Sequence, residues 1–416
     1  MPSEIGTEEE ANRTQWGMFF LLVGVGTAAA FQVGKAPPAL PSIRADLGLS
    51  LYMAGWVLSC FNAVGVVLAP VAGAIADWLG HRRLILVGLG FMGLGSAVGS
   101  LSHGAPLLLV SRCMESLGYI IVSVSASGLI VRFVSQSELR FAMGVWSTFM
   151  PFGASLVMFL SPAALAAFGW RWMWQANAAL LFAMLLLFAF ASRNLKSPIA
   201  RRERFMKRLW HDVLRTWRTP GPVLVALCFG AYGFQFLVVV GFLPTMLIEE
   251  QGLTQTWASV LTAISLFLCV PANMIGGWLL QRGVKGWFLM GASSVLASLS
   301  CFGIYAESAG VPFRFLSAIF FMFIGSLLPP AVMHGAVVHA PSRDLLATSY
   351  GIMVQGTQLG SLTGPPITAA VVSRKGDWQA ASWILFLVGM IGVVSSLILR
   401  VIERRKAAAK IASSER

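Results

Sequence analysis

Stretches of about 20 apolar residues, interrupted only by Gly, Pro or an isolated charge, recur along the whole chain, and a helix needs that length to cross the hydrocarbon core of a bilayer. They lie near 16–40, 50–76, 84–102, 106–131, 140–166 and 172–192, then near 220–247, 255–280, 286–306, 312–338, 345–372 and 379–400. Backbone amides in hydrocarbon must be satisfied within their own segment, so each stretch is predicted to be helical. Twelve such spans use nearly all of the 416 residues and leave no room for a soluble domain. The expected fold class is an all-α membrane protein with its function among the helices. Charged residues make up 11% of the chain and mean hydropathy is +0.76. Soluble proteins carry about 25% charged residues, so an ordinary soluble enzyme is excluded.

An even number of spans puts both ends on one side. That side collects 23 of the 30 Lys and Arg residues, nine of them between Arg193 and Arg218, against five on the other. The positive-inside rule makes the basic side cytoplasmic. The expected organisation is a cytoplasmic tail (1–15), a six-helix bundle (16–192), a cytoplasmic basic linker (193–219), a second six-helix bundle (220–400) and a cytoplasmic tail (401–416), in the inner (plasma) membrane. The net charge of +13 thus has a topological origin, and no nucleic-acid partner is expected. Phe205, Trp210 and Trp217 interleave with the basic residues of the linker, the pattern of an amphipathic helix lying on anionic lipid. The segment Met1 to Gln15 is acidic and polar, and the apolar stretch after it is too long for a signal-peptide core, so the first span is expected to be retained. The five cysteines have no ligand spacing and read as small apolar packers, with neither a disulfide framework nor a metal site.

The two sets of six spans echo each other. Phe31-Gln32 and Leu40-Pro41 recur 203 residues later as Phe234-Gln235 and Leu243-Pro244. Leu47-Gly48-Leu49-Ser50 matches Gln251-Gly252-Leu253-Thr254 at 204, Pro106 matches Pro312 at 206, and Gly169-Trp170 pairs with Gly376-Asp377-Trp378 at about 207. Five matches in order, with offsets near half the chain length, indicate two halves in the same orientation. Such repeats suit a transporter whose site lies between them.

Between spans two and three the chain reads GAIADWLGHRRLIL, Gly73 to Leu86. Gly73 permits close helix approach, Asp77 can cap or pair at a helix end, Gly80 makes the turn, and Arg82 and Arg83 anchor at headgroups. This string resembles the signature loop of the major facilitator superfamily, G-x-L-A-D-R-x-G-R-K, with Ile75, Trp78 and His81 as departures. Its counterpart, Gly277 to Lys285, has Gln281 in place of the Asp. Leu108, Arg112, Glu115 and Gly118 resemble the family's span-four pattern L-x-x-x-R-x-x-Q-G-x-G, with Glu115 for Gln and Ser116 for the first Gly. Met150-Pro151-Phe152-Gly153-Ala154 only partly resembles the G-P-x-x-G-G of drug antiporters, which counts against that subgroup. Gly34 to Ser50 followed by Ala54-Gly55-Trp56 is similar to the cyanate and nitroimidazole permease-like branch. The resemblance implies twelve helices in two parallel repeats, alternating access, and Gly73, Asp77, Gly80, Arg82 and Arg83 as a gating loop.

Charges near the bilayer centre are costly and are paired or functional. Arg112 and Glu115 are one turn apart on one helical face near the midplane, able to meet as a proton-coupling couple or as a structural ion pair. Lys35 either snorkels outward or faces a cavity where it attracts an anion, with Gln32 on the same face. Gln32 and Gln235 hold equivalent repeat positions, so their amides either face one another at a central site or bond neighbouring helices. Tyr52, Tyr232, Asn273, His334, Gln355 and Gln358 are further candidates. No metalloprotease, nucleophile-elbow or phosphate-loop motif is present, so no catalytic residue, metal or cofactor is expected. The sequence reading is therefore a monomeric secondary transporter whose partners are a small-molecule substrate, membrane lipid and a candidate coupling proton. Gln32, Lys35, Arg112, Gln235 and Gln355 are its candidate binding residues, and Glu115 with Arg112 its candidate proton couple. Two cations against one acid favour an anionic substrate; an exporter of amphiphilic or cationic compounds is the alternative. The topology makes a direct prediction: a Ser197→Cys variant is protected from an impermeant thiol reagent in intact cells, and labelling before permeabilisation overturns the twelve-span arrangement.

Overall fold

The computed structural model describes residues 14–135, 137–195, 205–342 and 345–414, and every regular element among them is helical. Ten helical stretches are long and apolar enough to cross a membrane. Two local features complete twelve crossings among the described residues. Phe149–Ala191 is one 43-residue run in which Gly169 adopts φ 77°, ψ 175° and reverses the chain, a conformation that only glycine reaches without strain. Leu346–Lys375 spans 30 residues yet carries Thr, Gln, Ser and Pro365-Pro366, which lower its apolar character.

Several spans are broken where the sequence removes a backbone donor. Span one consists of α1 (Trp16–Gly34) and α2 (Ala36–Leu47), joined at Lys35. Pro37 and Pro38 follow and have no N–H to offer the last carbonyls of α1. Span two is α3 (Leu51–Ser59), a single 3-10 turn (Cys60–Asn62) and α4 (Ala63–Leu79). Spans three and four are α5 (His81–Ser100) and α6 (Ala105–Phe133). A short α7 (Leu139–Ser147) leads into α8 (Phe149–Ala191), which supplies spans five and six. The basic linker forms α9 (Phe205–Trp217). In the second half α10 (Pro220–Glu249) is span seven, α11 (Gln255–Phe267) with α12 (Cys269–Gln281) span eight, and α13 (Gly286–Ile304) span nine. Span ten is α14 (Val311–Gly325) plus α15 (Leu328–Val338), broken just before Pro329-Pro330; α16 (Leu346–Lys375) and α17 (Gln379–Ser414) are spans eleven and twelve. The first span is longer than its apolar window, and the last continues as a basic, Ala-rich helix past Arg400, because helix propensity outlasts hydrophobicity there.

The repeat is visible in local chemistry. Gly48 (φ 62°) and Gly252 (φ 64°) take the left-handed conformation. Two residues on, the matched Ser50 and Thr254 cap spans two and eight, their hydroxyls accepting from the N–H groups of Met53 (3.2 Å) and Trp257 (3.4 Å). The halves meet through spans two and eleven, five and eight, and one and seven. Exchanging the halves turns the first pair into the second and leaves the third unchanged, as two parallel repeats about one axis require.

The two sides of the molecule differ. On the side away from the termini, one apolar cluster draws from both halves, with Leu40, Ile43, Leu58 and Trp174 beside Phe242, Met246, Phe321 and Trp378. Arg44 also pairs there with Glu249 across the halves, and the Gln255 side-chain N–H donates to the Pro38 carbonyl. On the terminal side the apolar clusters are separate, one around Phe19, Leu89, Val122 and Leu181, the other around Val225, Met290, Leu328 and Met353. The shared apolar seam thus lies at the far side, while nearer the termini the halves touch where Gly351 of span eleven packs on the Ala69-Pro70 backbone of span two. The tightest backbone approach at a described glycine is between spans seven and eleven: a Cβ on Gly360 would sit 1.9 Å from the Gly230 carbonyl oxygen. Gly360→Ala is expected to lower the thermal unfolding midpoint, at a cost of about 1–3 kcal/mol. Gly277→Ala, with nothing within 4 Å of its Cβ, serves as the neutral control in the same melting assay.

Candidate functional site

The break in span one places Lys35 inside the first bundle at the end of α1, where the helix leaves its last carbonyls without intrahelical donors. Lys35, Gln32, Arg112 and Glu115 are all buried to within 1% of full enclosure. The Lys35 ammonium uses its three protons on three acceptors: Glu115 Oε1 (2.6 Å), Gln32 Oε1 (2.6 Å) and Ser96 Oγ (2.5 Å). The other Glu115 oxygen, Oε2, accepts from Arg112 Nη1 at 2.6 Å. One carboxylate therefore serves two cations, one on each oxygen.

Arg112 also repairs two interrupted helices. Its Nη1 donates to the Gln32 carbonyl (2.8 Å) in the last turn of α1, and its Nε to the Val57 carbonyl (3.2 Å) in the last turn of α3. Helix C-termini carry partial negative charge, so both ends favour the guanidinium. Aromatic faces add to this: the Lys35 ammonium lies 4.4 Å from the Trp174 ring centre and the Arg112 guanidinium 4.7 Å from that of Phe61. With all three side chains ionised the cluster carries one net positive charge, offset by carbonyl dipoles and ring quadrupoles. Gln32 Nε2 donates to Asn177 Oδ1 at 3.3 Å, linking the cluster to span six.

The second half contains the same frame without the charges. Gln235 Nε2 donates to Ser298 Oγ (2.9 Å) on span nine and to the Leu385 carbonyl (2.8 Å) on span twelve. In the first half the Ser96 hydroxyl approaches Gln32 Oε1 at 3.4 Å from span three. At the repeat offsets, Lys35 corresponds to Val238, Arg112 to Ala318 and Glu115 to Phe321.

The candidates drawn from the sequence separate into groups. Gln32, Lys35, Arg112 and Glu115 come together. Lys35 neither snorkels nor faces open space, because Glu115, Gln32 and Ser96 absorb its charge within the bundle. Gln32 and Gln235 do not face one another; each bonds within its own bundle. Gln355 lies apart on the terminal side, donating to the Val66 carbonyl (2.6 Å) and accepting from the Trp217 indole N–H (3.1 Å). It ties span eleven to span two and to the linker helix. In the loop after span two, Gly80 turns with φ 88°. Arg82 Nε donates to the Ser192 carbonyl (2.7 Å), capping the end of span six, while Arg83 is exposed. The side chains of Gly73 and Asp77 lie outside the described residues. Ser96, Asn177, Trp174 and Phe61 were not singled out from sequence; the spacing of Ser96 and Ser298, one residue short of the Gln32–Gln235 offset, is the signal that finds the first.

The Major Facilitator Superfamily profile matches residues 19–342 and again 225–416. The chain belongs to the Major Facilitator Superfamily. The second range begins in span seven, as a duplicated six-helix unit requires. The chain is 24% identical to the methyl viologen resistance protein SmvA of Salmonella typhimurium over 48% of its own length and only 40% of that protein's. It is 21% identical to the hexuronate transporter of Bacillus subtilis over 86% of this chain and 87% of that one. Among solved structures, a bacterial homolog of the human lysosomal transporter Spinster, inward-facing and occupied, superposes with a TM-score of 0.76 at 13% identity, covering 94% and 97% of the two chains. That similarity establishes a shared fold.

The charge balance of the cluster predicts non-additive stability. Glu115→Gln leaves two buried cations without a counter-ion and is expected to cost about 3–5 kcal/mol in a thermal or denaturant titration. Adding Lys35→Met to that variant is expected to recover part of the loss; a double variant as unstable as the sum of the two singles shows the pair to be uncoupled.

Proposed function

We propose that this protein is a secondary transporter of a small organic or inorganic anion, working by alternating access and coupled to protons. The observation that carries the reading is the single Glu115 carboxylate shared by Lys35 and Arg112 at the broken end of α1. Protonating Glu115 withdraws the anion that the two cations share, and a monoanionic substrate takes its place. Proton plus monoanion leave the net charge of the enclosed cluster unchanged, so the two load together at little electrostatic cost, whereas either alone changes it by one unit. In this reading Lys35, Arg112 and Gln32 hold the substrate and Glu115 the proton. Gln235, bound within the neutral half, supports the fold of its bundle, and Gln355 acts at the closure between spans two and eleven.

The hexuronate transporter, related over nearly its whole length, supports an anionic substrate. The methyl viologen resistance protein supports the second reading, export of amphiphilic or cationic compounds with Glu115 as the cation's partner, though over less than half of either chain. The stretch from Gly34 to Trp56 supports membership of the cyanate and nitroimidazole permease-like branch. The charge bias supports a cytoplasmic position for the termini and linker in an inner membrane, and the reading is of a monomer. The gating loop around Gly80 and Arg83 then lies at the cytoplasmic face.

Proteoliposome flux tests the mechanism. In Glu115→Gln, accumulation of an anion driven by a pH gradient is expected to vanish, while exchange at equal concentrations survives, the carboxylate having been replaced by a group that does not titrate. Undiminished pH-driven accumulation in a stable Glu115→Gln variant would rule out this carboxylate as the coupling site.

A further inference from the structure

Three of the five cysteines, Cys228, Cys269 and Cys301, are buried, whereas Cys60 and Cys113 are partly exposed and lie together. They meet across spans two and four through the Cys113 thiol, which donates toward the Cys60 backbone carbonyl at 3.7 Å. Cys60 opens the 3-10 turn that interrupts span two, and Cys113 adjoins Arg112, whose Nε holds the Val57 carbonyl just before that turn. Span four therefore grips the break in span two at two adjacent points, one ionic and one through sulfur. As a class the cysteines read from sequence as inert packers; this pair departs from that because folding joins residues 53 positions apart.

We propose that Cys60 and Cys113 form a dithiol site for a thiophilic trivalent metalloid, which binds both sulfurs and clamps span two to span four at the break. Two partly exposed thiols on facing spans, one of them reaching the backbone of the other's residue, present the paired donors that a trivalent arsenic centre takes in a chelate, and soft thiolate ligands select soft centres. The reaction with an organoarsenic oxide balances without electron transfer. Two As–S bonds form, the arsenic–oxygen double bond and two S–H bonds break, and the oxygen leaves with both thiol protons as one water. Arsenic remains trivalent. Neither sulfur needs to move to disulfide bonding distance, which is about 2.05 Å.

The probe is phenylarsine oxide, added to the full-length protein in detergent and read by intact mass and peptide mapping. The expected result is one phenylarsenic group per chain, bridging the peptides that contain Cys60 and Cys113, released by ethanedithiol and resistant to excess mercaptoethanol. Cys60→Ala and Cys113→Ala, each alone, are expected to cut the adduct by about tenfold, because a monothiol adduct lacks the chelate and exchanges with free thiol. A chain with Cys228→Ala, Cys269→Ala and Cys301→Ala together retains it. The bridge is also expected to raise the unfolding midpoint of the wild-type protein by cross-linking two spans. The wild-type peptide map decides the matter even if a single variant fails to fold. An adduct on any other cysteine, or a folded wild-type protein that takes up no bridging arsenic, overturns the proposal.

Discussion

Everything near the middle of the first bundle depends on one carboxylate. Glu115 is the shared counter-ion of Lys35 and Arg112, and without it two cations would stand enclosed in a medium that solvates neither. The surrounding architecture follows from that electrostatic requirement. Span one stops at Lys35 and span two stops at Ser59. Arg112 then aims two further donors at carbonyls beside those stops. The interruptions and the guanidinium thus satisfy each other: breaks that would leave orphan acceptors in an apolar interior are tolerable because a buried donor set is aimed at them.

The internal repeat sharpens the point. Gln235, Ser298 and the Leu385 carbonyl reproduce the polar frame of the first half, yet Val238, Ala318 and Phe321 occupy the places of its charges. The neutral half needs no break at the position equivalent to Lys35, and α10 runs unbroken there. Within the proposed mechanism, only one half changes its electrostatic state as substrate and proton come and go.

Much of the fold was legible because hydrophobic length, the positive bias of one side and the repeated turns each have a direct physical meaning. The matched Gly48-Leu49-Ser50 and Gly252-Leu253-Thr254 segments, legible as a repeat, form two equivalent helix caps in the structure. Arg112 and Glu115 were legible as a pair because one helical turn joins them. The partnership of Lys35 was not, since it depends on the break before Pro37-Pro38 turning that side chain inward toward spans three and four. The partners of Gln355 were hidden for a similar reason: a polar residue in an apolar span shows that a partner exists and not which one, and here the partners are the Val66 carbonyl and Trp217. Asn177, Trp174 and Phe61 carry no pattern in sequence; only packing gives them their contacts with the cluster.

The apolar seam that fuses the halves at the far side has a thermal consequence. Opening that side wets side chains such as Leu40, Phe242 and Met246, and exposing apolar surface raises heat capacity. The free energy of opening is then curved in temperature, greatest at an intermediate point and smaller on warming or cooling. A membrane protein closed by an ionic lock alone would lack that curvature. This one carries in its seam a built-in optimum for staying shut, set by hydration and independent of which solute it moves.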